Sequence, residues 1–184
     1  MADNEFGYTA WGMDWVRLAE PLRQTRPDPL LPRARSIARN NGVRVTVEGR
    51  VVRATIHRGG QASVTHVEVA PLSRQAITAV AGIAPDTTVL TDDMHHAMTA
   101  AGISLAPVLA GADCSCTARK ARCVHVLAVY YEMARQVDAD PRLGLAIQGY
   151  FDAVPCDADA SASQARWTPI SALDPQRFFT TTPG

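Results

Sequence analysis

Three of the four cysteines in this 184-residue chain lie within twelve residues, beside a histidine. The segment reads Cys-x-Cys, then six residues, then Cys-x-His, and its potential ligands are Cys114, Cys116, Cys123 and His125. Sulfur and imidazole are ligands that zinc prefers, and a structural zinc site takes four of them in a closed tetrahedron. The spacing therefore predicts one structural zinc ion in this segment.

The spacing also restricts the backbone that holds these ligands. Residues two apart point away from each other on a helix, whereas they share a face on extended chain. We therefore expect Cys114 and Cys116 on an extended or turn segment. Cys123 and His125 can bind together if Cys123 lies at or just before a helix start and His125 lies in the first turn. Apolar residues at helical spacing continue through about Asp138 and predict that helix, with the positive end of its dipole facing the metal.

The pattern resembles a SWIM-type zinc finger, and all four ligand positions of that family are present without substitution. The family takes its name from chromatin-remodelling helicases, plant transposase-related proteins and a kinase. The resemblance implies a ββα element, in which a short β-hairpin bears the Cys-x-Cys and a helix bears the Cys-x-His. It also implies a role in binding DNA or another protein.

The N-terminal part of the chain adds to this resemblance. The aromatic-Gly opening within Phe6–Trp15 and the arginine-rich run Leu31–Arg39 are similar to segments of actinobacterial SWIM zinc-finger proteins. That bacterial group resembles companions of Swi/Snf-type helicases. The resemblance therefore implies a protein partner of the helicase-type ATPase class, or another DNA-processing protein.

The region before the finger has the pattern of a sheet with helices. Val43–Val47 and Val51–His57 are β-branched and alternating, and Gly59-Gly60 turns into Ala62–Val69, so we expect a three-stranded antiparallel meander. Apolar faces at helical spacing predict helices over residues 11–24, from Ser73 to Pro85, over about Thr91–Ala101, and one short helix over residues 143–151. The expected fold class is α+β: a small antiparallel β-meander packed with helices, plus a zinc-bound SWIM ββα finger.

We expect three regions along the chain: an N-terminal α+β region over residues 1–110, the finger with its following helices over 111–151, and a linker with a partly disordered tail over 152–184. Cys156 falls in the linker and is expected to remain a thiol, because the tetrahedron is complete without it. Trp167, Phe178 and Phe179 are apolar residues in a polar tail, and they could dock on the chain's own core or in the groove of a partner.

Two groups of basic residues are candidates for contact with nucleic acid. One is the finger loop, with Arg119, Lys120 and Arg122; its alternative role is to keep the thiolates ionised. The other is the run Arg33, Arg35 and Arg39, whose alternative is a solvated charged face. Arginines gathered on one surface would supply the salt-dependent part of nucleic-acid affinity.

Other residues are expected to be structural. Trp11 and Trp15 are interpreted as core anchors, with a stacking platform for bases as the alternative. His57 and His66 are expected on strand surfaces. The acids and histidines within residues 92–96 are not expected to bind a metal, because adjacent residues on a helix do not converge.

Composition narrows the function classes that remain. The formal net charge is zero, which argues against indiscriminate coating of nucleic acid, although the first sixty residues hold ten arginines against six acidic residues. No run of residues has the length of a membrane span, and clustered cysteines fit a reducing compartment. We therefore expect a cytoplasmic bacterial protein without membrane contact.

Three hypotheses follow. The first is a zinc-stabilised nucleic-acid-binding or adaptor protein in a DNA-transaction complex, and the second is a protein–protein scaffold in which zinc only fixes the fold. The third is an enzyme or a redox switch. We do not expect an enzyme, because four protein ligands leave no open position on the metal and no phosphate-binding or nucleophile motif stands out.

Overall fold

The computed structural model describes residues 5–23, 26–58, 60–118 and 122–153. The helices in these ranges are α1 (Ala10–Ala19), α2 (Leu31–Arg39), α3 (Arg74–Ile83), α4 (Asp92–Ala100), α5 (Val124–Ala139), α6 (Pro141–Ile147) and α7 (Tyr150–Ala153). The strands are β1 (Val43–Glu48), β2 (Val51–Arg58), β3 (Gln61–Val69) and β4 (Leu109–Cys114). The architecture is α+β, as the sequence predicts.

The four strands form one antiparallel sheet in the order β1-β2-β3-β4. The first three strands are the predicted meander, and β4 extends it. β4 pairs with β3 so that Cys114 lies opposite Thr65. In the described residues the first cysteine therefore ends a fourth strand of the same sheet, whose antiparallel partner β3 precedes it by some forty residues instead of by a short turn. The N–H and C=O groups on the open edge of β3 need partners, and β4 supplies them.

One face of the sheet is buried and the other is exposed. On β3, Thr65, Val67 and Val69 are fully buried, whereas His66 points to solvent. His57 on β2 is also exposed, so both histidines lie on the strand surface as predicted. α5 contacts β1, β3 and β4 on the buried side.

α5 is the central helix of the core. It packs against α1 and α2 as well as the sheet, and it is buried on nearly every side. Trp11 and Trp15 of α1 are buried at 5% and 1% exposure, which confirms the prediction that they anchor the core. No helix among the described residues is both long and apolar enough to cross a membrane.

The helix boundaries follow from local chemistry. Ser73 and Thr91 cap α3 and α4, and each side chain accepts a hydrogen bond from a backbone N–H three residues on. Gly102, at φ +76°, ends the turn after α4. The sequence predicts one short helix after α5, but α6 and α7 are separate, because Gly149 between them takes φ +73°.

The N-terminal segment is attached to the end of α5 through the Asp138 carboxylate, which is 6% exposed. Oδ2 accepts hydrogen bonds from the N–H groups of Gly7 (2.7 Å) and Tyr8 (3.4 Å). Oδ1 accepts from the N–H (2.9 Å) and the hydroxyl (2.7 Å) of Thr9, the N-cap of α1. A Cβ on Gly12 would lie 2.1 Å from Oδ1, so this position requires glycine.

Candidate metal centre

The Cys-x-Cys lies where β4 ends beside β3. The N–H of Ser115 donates to the carbonyl of Val64 at 2.9 Å, and the N–H of Val64 donates to Ser115 Oγ at 2.9 Å. Ser115 is exposed, while Cys114 and Cys116 on either side of it are half-buried. The alternation of an extended segment therefore brings the two thiols to the same side, as predicted.

The Cys-x-His lies at the beginning of α5. Cys123 is the N-cap, in an extended conformation (φ −81°, ψ 165°), and it is buried. His125 is in the first turn of the helix. This is the arrangement that the spacing predicts.

The four side chains converge on one point. Each offers one ligand atom, and these atoms all lie within 4.8 Å of one another. Cys114 Sγ is 3.7 Å from His125 Nδ1. A tetrahedral zinc ion with ordinary Zn–S and Zn–N bonds places its ligand atoms about 3.6–3.8 Å apart. Three sulfurs and one imidazole nitrogen within 4.8 Å of one another are consistent with a single zinc ion, which would join the end of β4 to the start of α5.

The ionisation of the Cys123 thiol depends on its buried position. Burial raises the pKa of its thiol to about 11, and the neighbouring Cys114 adds to that increase, whereas the backbone amides of Val126 and His125 lower it. Without a positive charge nearby, the buried thiol keeps its proton. A bound zinc ion would supply that charge and would take the place of the proton.

Arg122 is fixed by α1. Its guanidinium donates to the carbonyls of Leu18 (2.9 Å) and Ala19 (2.8 Å) at the end of that helix. A cation there donates hydrogen bonds to the last carbonyls of the helix and interacts favourably with the helix dipole. Among the candidate phosphate-binding residues of the loop, Arg122 therefore has a role in the fold. Arg119 and Lys120 lie outside the described residues.

The second candidate group, on and around α2, is partly neutralised. Arg35 forms an ion pair with Glu20, and its Nε donates to the Tyr131 hydroxyl at 3.2 Å. Arg39 pairs with Glu5 and lowers the pKa of that carboxyl. Arg33 is exposed. The structure thus does not gather these arginines into one unpaired basic surface.

Asp92 and His95 of α4 have partners within the fold. His95 of α4 is buried, with Nε2 2.8 Å from Asp14 Oδ2, and Asp92 Oδ1 accepts from the N–H of Ala10 at 2.9 Å. Cys156, Trp167, Phe178 and Phe179 lie outside the described residues, so the predictions about them stay predictions.

One residue near the metal centre was missed at the level of sequence. Thr65 of β3 is fully buried, and its hydroxyl lies 3.5 Å from Cys114 Sγ. The available signal is a polar residue next to Val67 and Val69 on the inward-facing side of β3.

Comparison with known proteins agrees with this geometry. The family model described as SWIM zinc finger matches residues 95–133, a span that runs from α4 to the first part of α5 and contains all four ligands. No curated protein and no solved structure matches the chain. Residues 95–133 therefore form a SWIM zinc finger domain with a Cys3His cluster.

Proposed function

Because residues 95–133 form a SWIM zinc finger, we propose that the chain is a zinc-stabilised nucleic-acid-binding or adaptor protein that acts in a DNA-transaction complex. One observation carries the proposal. The closed metal centre holds both ends of a short loop that contains Arg119 and Lys120. The described start of that loop, Thr117 and Ala118, is exposed. A four-ligand centre has no open position for catalysis. Its role is therefore to position the loop surface between its ligands.

The loop fits a polyanion better than the α2 region does. The side chains of Arg35 and Arg39 already have carboxylate partners, and Arg122 is held by α1. Arg119 and Lys120 of the loop remain as candidates to contact DNA phosphates, together with the exposed Arg33 of α2. The N-terminal resemblance supports a Swi/Snf-type helicase as the protein partner, with the chain as its adaptor on DNA.

A double charge reversal tests the loop. We expect Arg119→Glu with Lys120→Glu to weaken binding to single- and double-stranded DNA about tenfold or more at low salt, because two phosphate contacts are replaced by repulsion. The slope of log affinity against log salt should become shallower by about two, which is about one for each lost phosphate contact. The measurement is a salt titration on protein whose zinc content has been checked. Arg122 is left intact, because reversing it would also disturb the end of α1.

The matched control reverses two arginines on the exposed face of the sheet, Arg44→Glu with Arg53→Glu. It changes the net charge equally and should leave DNA affinity close to that of the wild type. DNA binding that is absent in the wild type, or that falls equally in both double variants, would contradict the assignment to the loop.

The alternative function is a protein–protein interaction scaffold in which zinc is purely structural and DNA is not contacted. The zero net charge and the pairing of Arg35 and Arg39 with carboxylates favour it. In this case the apolar residues of the tail carry the contact with the partner.

Replacing Trp167, Phe178 and Phe179 by serine tests that alternative. If the tail docks on a partner, the triple variant should lose binding to a purified Swi/Snf-type helicase at least tenfold, because aromatic anchors dominate such interfaces. The melting temperature and zinc content should stay unchanged. A lower melting temperature with unchanged helicase binding would instead place the tail on the chain's own core.

A further inference from the structure

Thr65 occupies an unusual position on the buried face of the sheet. It lies between Ala54 of β2 and Cys114 of β4 in the cross-strand register. Ala54 and Thr65 are both fully buried, and so is Val67, the next inward-facing residue on β3. A valine would fill this site with nearly the same shape and no polar group.

The hydroxyl of Thr65 therefore needs a partner inside the protein, because an unpaired buried hydroxyl destabilises the fold. Its Oγ1 lies 3.5 Å from Cys114 Sγ, within hydrogen-bonding distance for sulfur. A hydroxyl is the donor here, and a zinc-bound thiolate is an acceptor with no proton of its own.

We infer that Thr65 is a positioning residue of the metal centre: its hydroxyl donates a hydrogen bond to the Cys114 thiolate and thereby orients that ligand and strengthens zinc binding. Three thiolates on a divalent ion leave a net negative charge, and a hydrogen bond withdraws part of that charge from one sulfur. The same bond couples β3 to the metal, through a residue 49 positions before the first ligand. The inference does not depend on whether the finger binds DNA.

The test is Thr65→Val, which removes the hydroxyl and keeps the β-branched shape. In competition with a chromophoric chelator, we expect zinc affinity to fall about 10–100-fold, as for other partners of metal ligands. With zinc in excess, the melting temperature should stay near that of the wild type, since the valine still fills the core. Thr65→Ser, which keeps a hydroxyl, should restore most of the affinity, and the exposed Thr46→Val is the control for a strand threonine.

A spectroscopic measurement separates the hydrogen bond from packing. With cobalt in place of zinc, loss of a hydrogen bond to one thiolate raises the energy of its sulfur electrons. The sulfur-to-cobalt charge-transfer band of Thr65→Val should therefore shift to longer wavelength, and that of Thr65→Ser should not. Wild-type zinc affinity and an unshifted band in Thr65→Val would overturn the inference. It would equally be overturned if Thr65→Ser lost as much affinity as Thr65→Val, because retaining the hydroxyl would then not preserve zinc binding.

Discussion

Replacing Cys123 by serine is expected to release the zinc and to destabilise far more of the chain than the finger. Cys123 is buried and caps α5, the helix on which α1, α2 and the sheet pack. Zinc binding at such sites is folding free energy, with apparent values of about 10–16 kcal/mol in zinc-finger peptides. The whole stability of a domain is about 5–15 kcal/mol. Loss of this ligand is therefore comparable to the entire stability of the fold.

The measurement combines zinc content, by elemental mass spectrometry, with thermal unfolding followed by circular dichroism. We expect much less than one zinc per chain and a melting temperature at least about 10 °C lower, since about 1 kcal/mol shifts a domain of this size by roughly 2–4 °C. Chelator treatment of the wild type should give the same melting curve. Cys156→Ser is the matched control and should keep both zinc and stability. A Cys123→Ser protein with stoichiometric zinc and unchanged unfolding would refute this residue as a ligand.

The local chemistry of the metal centre could be predicted from the sequence. Ligand spacing alone indicates an extended or turn segment for Cys114 and Cys116 and a helix start for Cys123 and His125, because side-chain directions follow from backbone geometry. Both are observed. Helix caps such as Ser73 were predictable for the same reason, since a cap depends on residues only three positions apart.

Long-range contacts could not be predicted in this way. β4 contains Ala110-Gly111-Ala112, which has no β-branched signal, so its pairing with β3 depends on an open sheet edge that only the folded chain provides. The bonds from Arg122 to the end of α1 join residues about a hundred positions apart. Periodicity carries no information about such pairs, so the sequence alone presents Arg122 as a candidate phosphate contact.

A second large effect is expected at Asp138. Replacing it by alanine removes the acceptor for the N–H groups of Gly7 and Thr9, and it leaves buried donors without a partner. Hydrogen bonds to a charged group are strong, and orphaned donors are costly, so we expect about 3–5 kcal/mol of destabilisation. The melting temperature should fall by roughly 10 °C. Asp138→Asn should be destabilised nearly as much as Asp138→Ala, because the amide nitrogen of asparagine cannot accept a hydrogen bond.

Two further measurements distinguish this effect from loss of the metal. Zinc content should stay at one ion per chain in Asp138→Ala, while amide hydrogen exchange should accelerate in peptides that cover residues 6–12. Asp93 is exposed, and Asp93→Ala is the matched control. It should lower the free energy of unfolding by no more than about 1 kcal/mol. Unchanged exchange in the N-terminal segment would contradict the role of Asp138 as its attachment.

The close approach of Gly12 to the Asp138 carboxylate provides a further test of this attachment. In Gly12→Ala the new Cβ would meet Asp138 Oδ1 at 2.1 Å and the Ala134 carbonyl at 2.9 Å, so this variant should also be strongly destabilised. Because the closer clash involves the carboxylate itself, removing that carboxylate relieves part of the cost. The double variant Gly12→Ala with Asp138→Ala should therefore lose less stability than the sum of the two single variants. Strict additivity in a double-mutant cycle would show that the two residues act through separate contacts, and that the glycine of the aromatic-Gly opening is required for another reason.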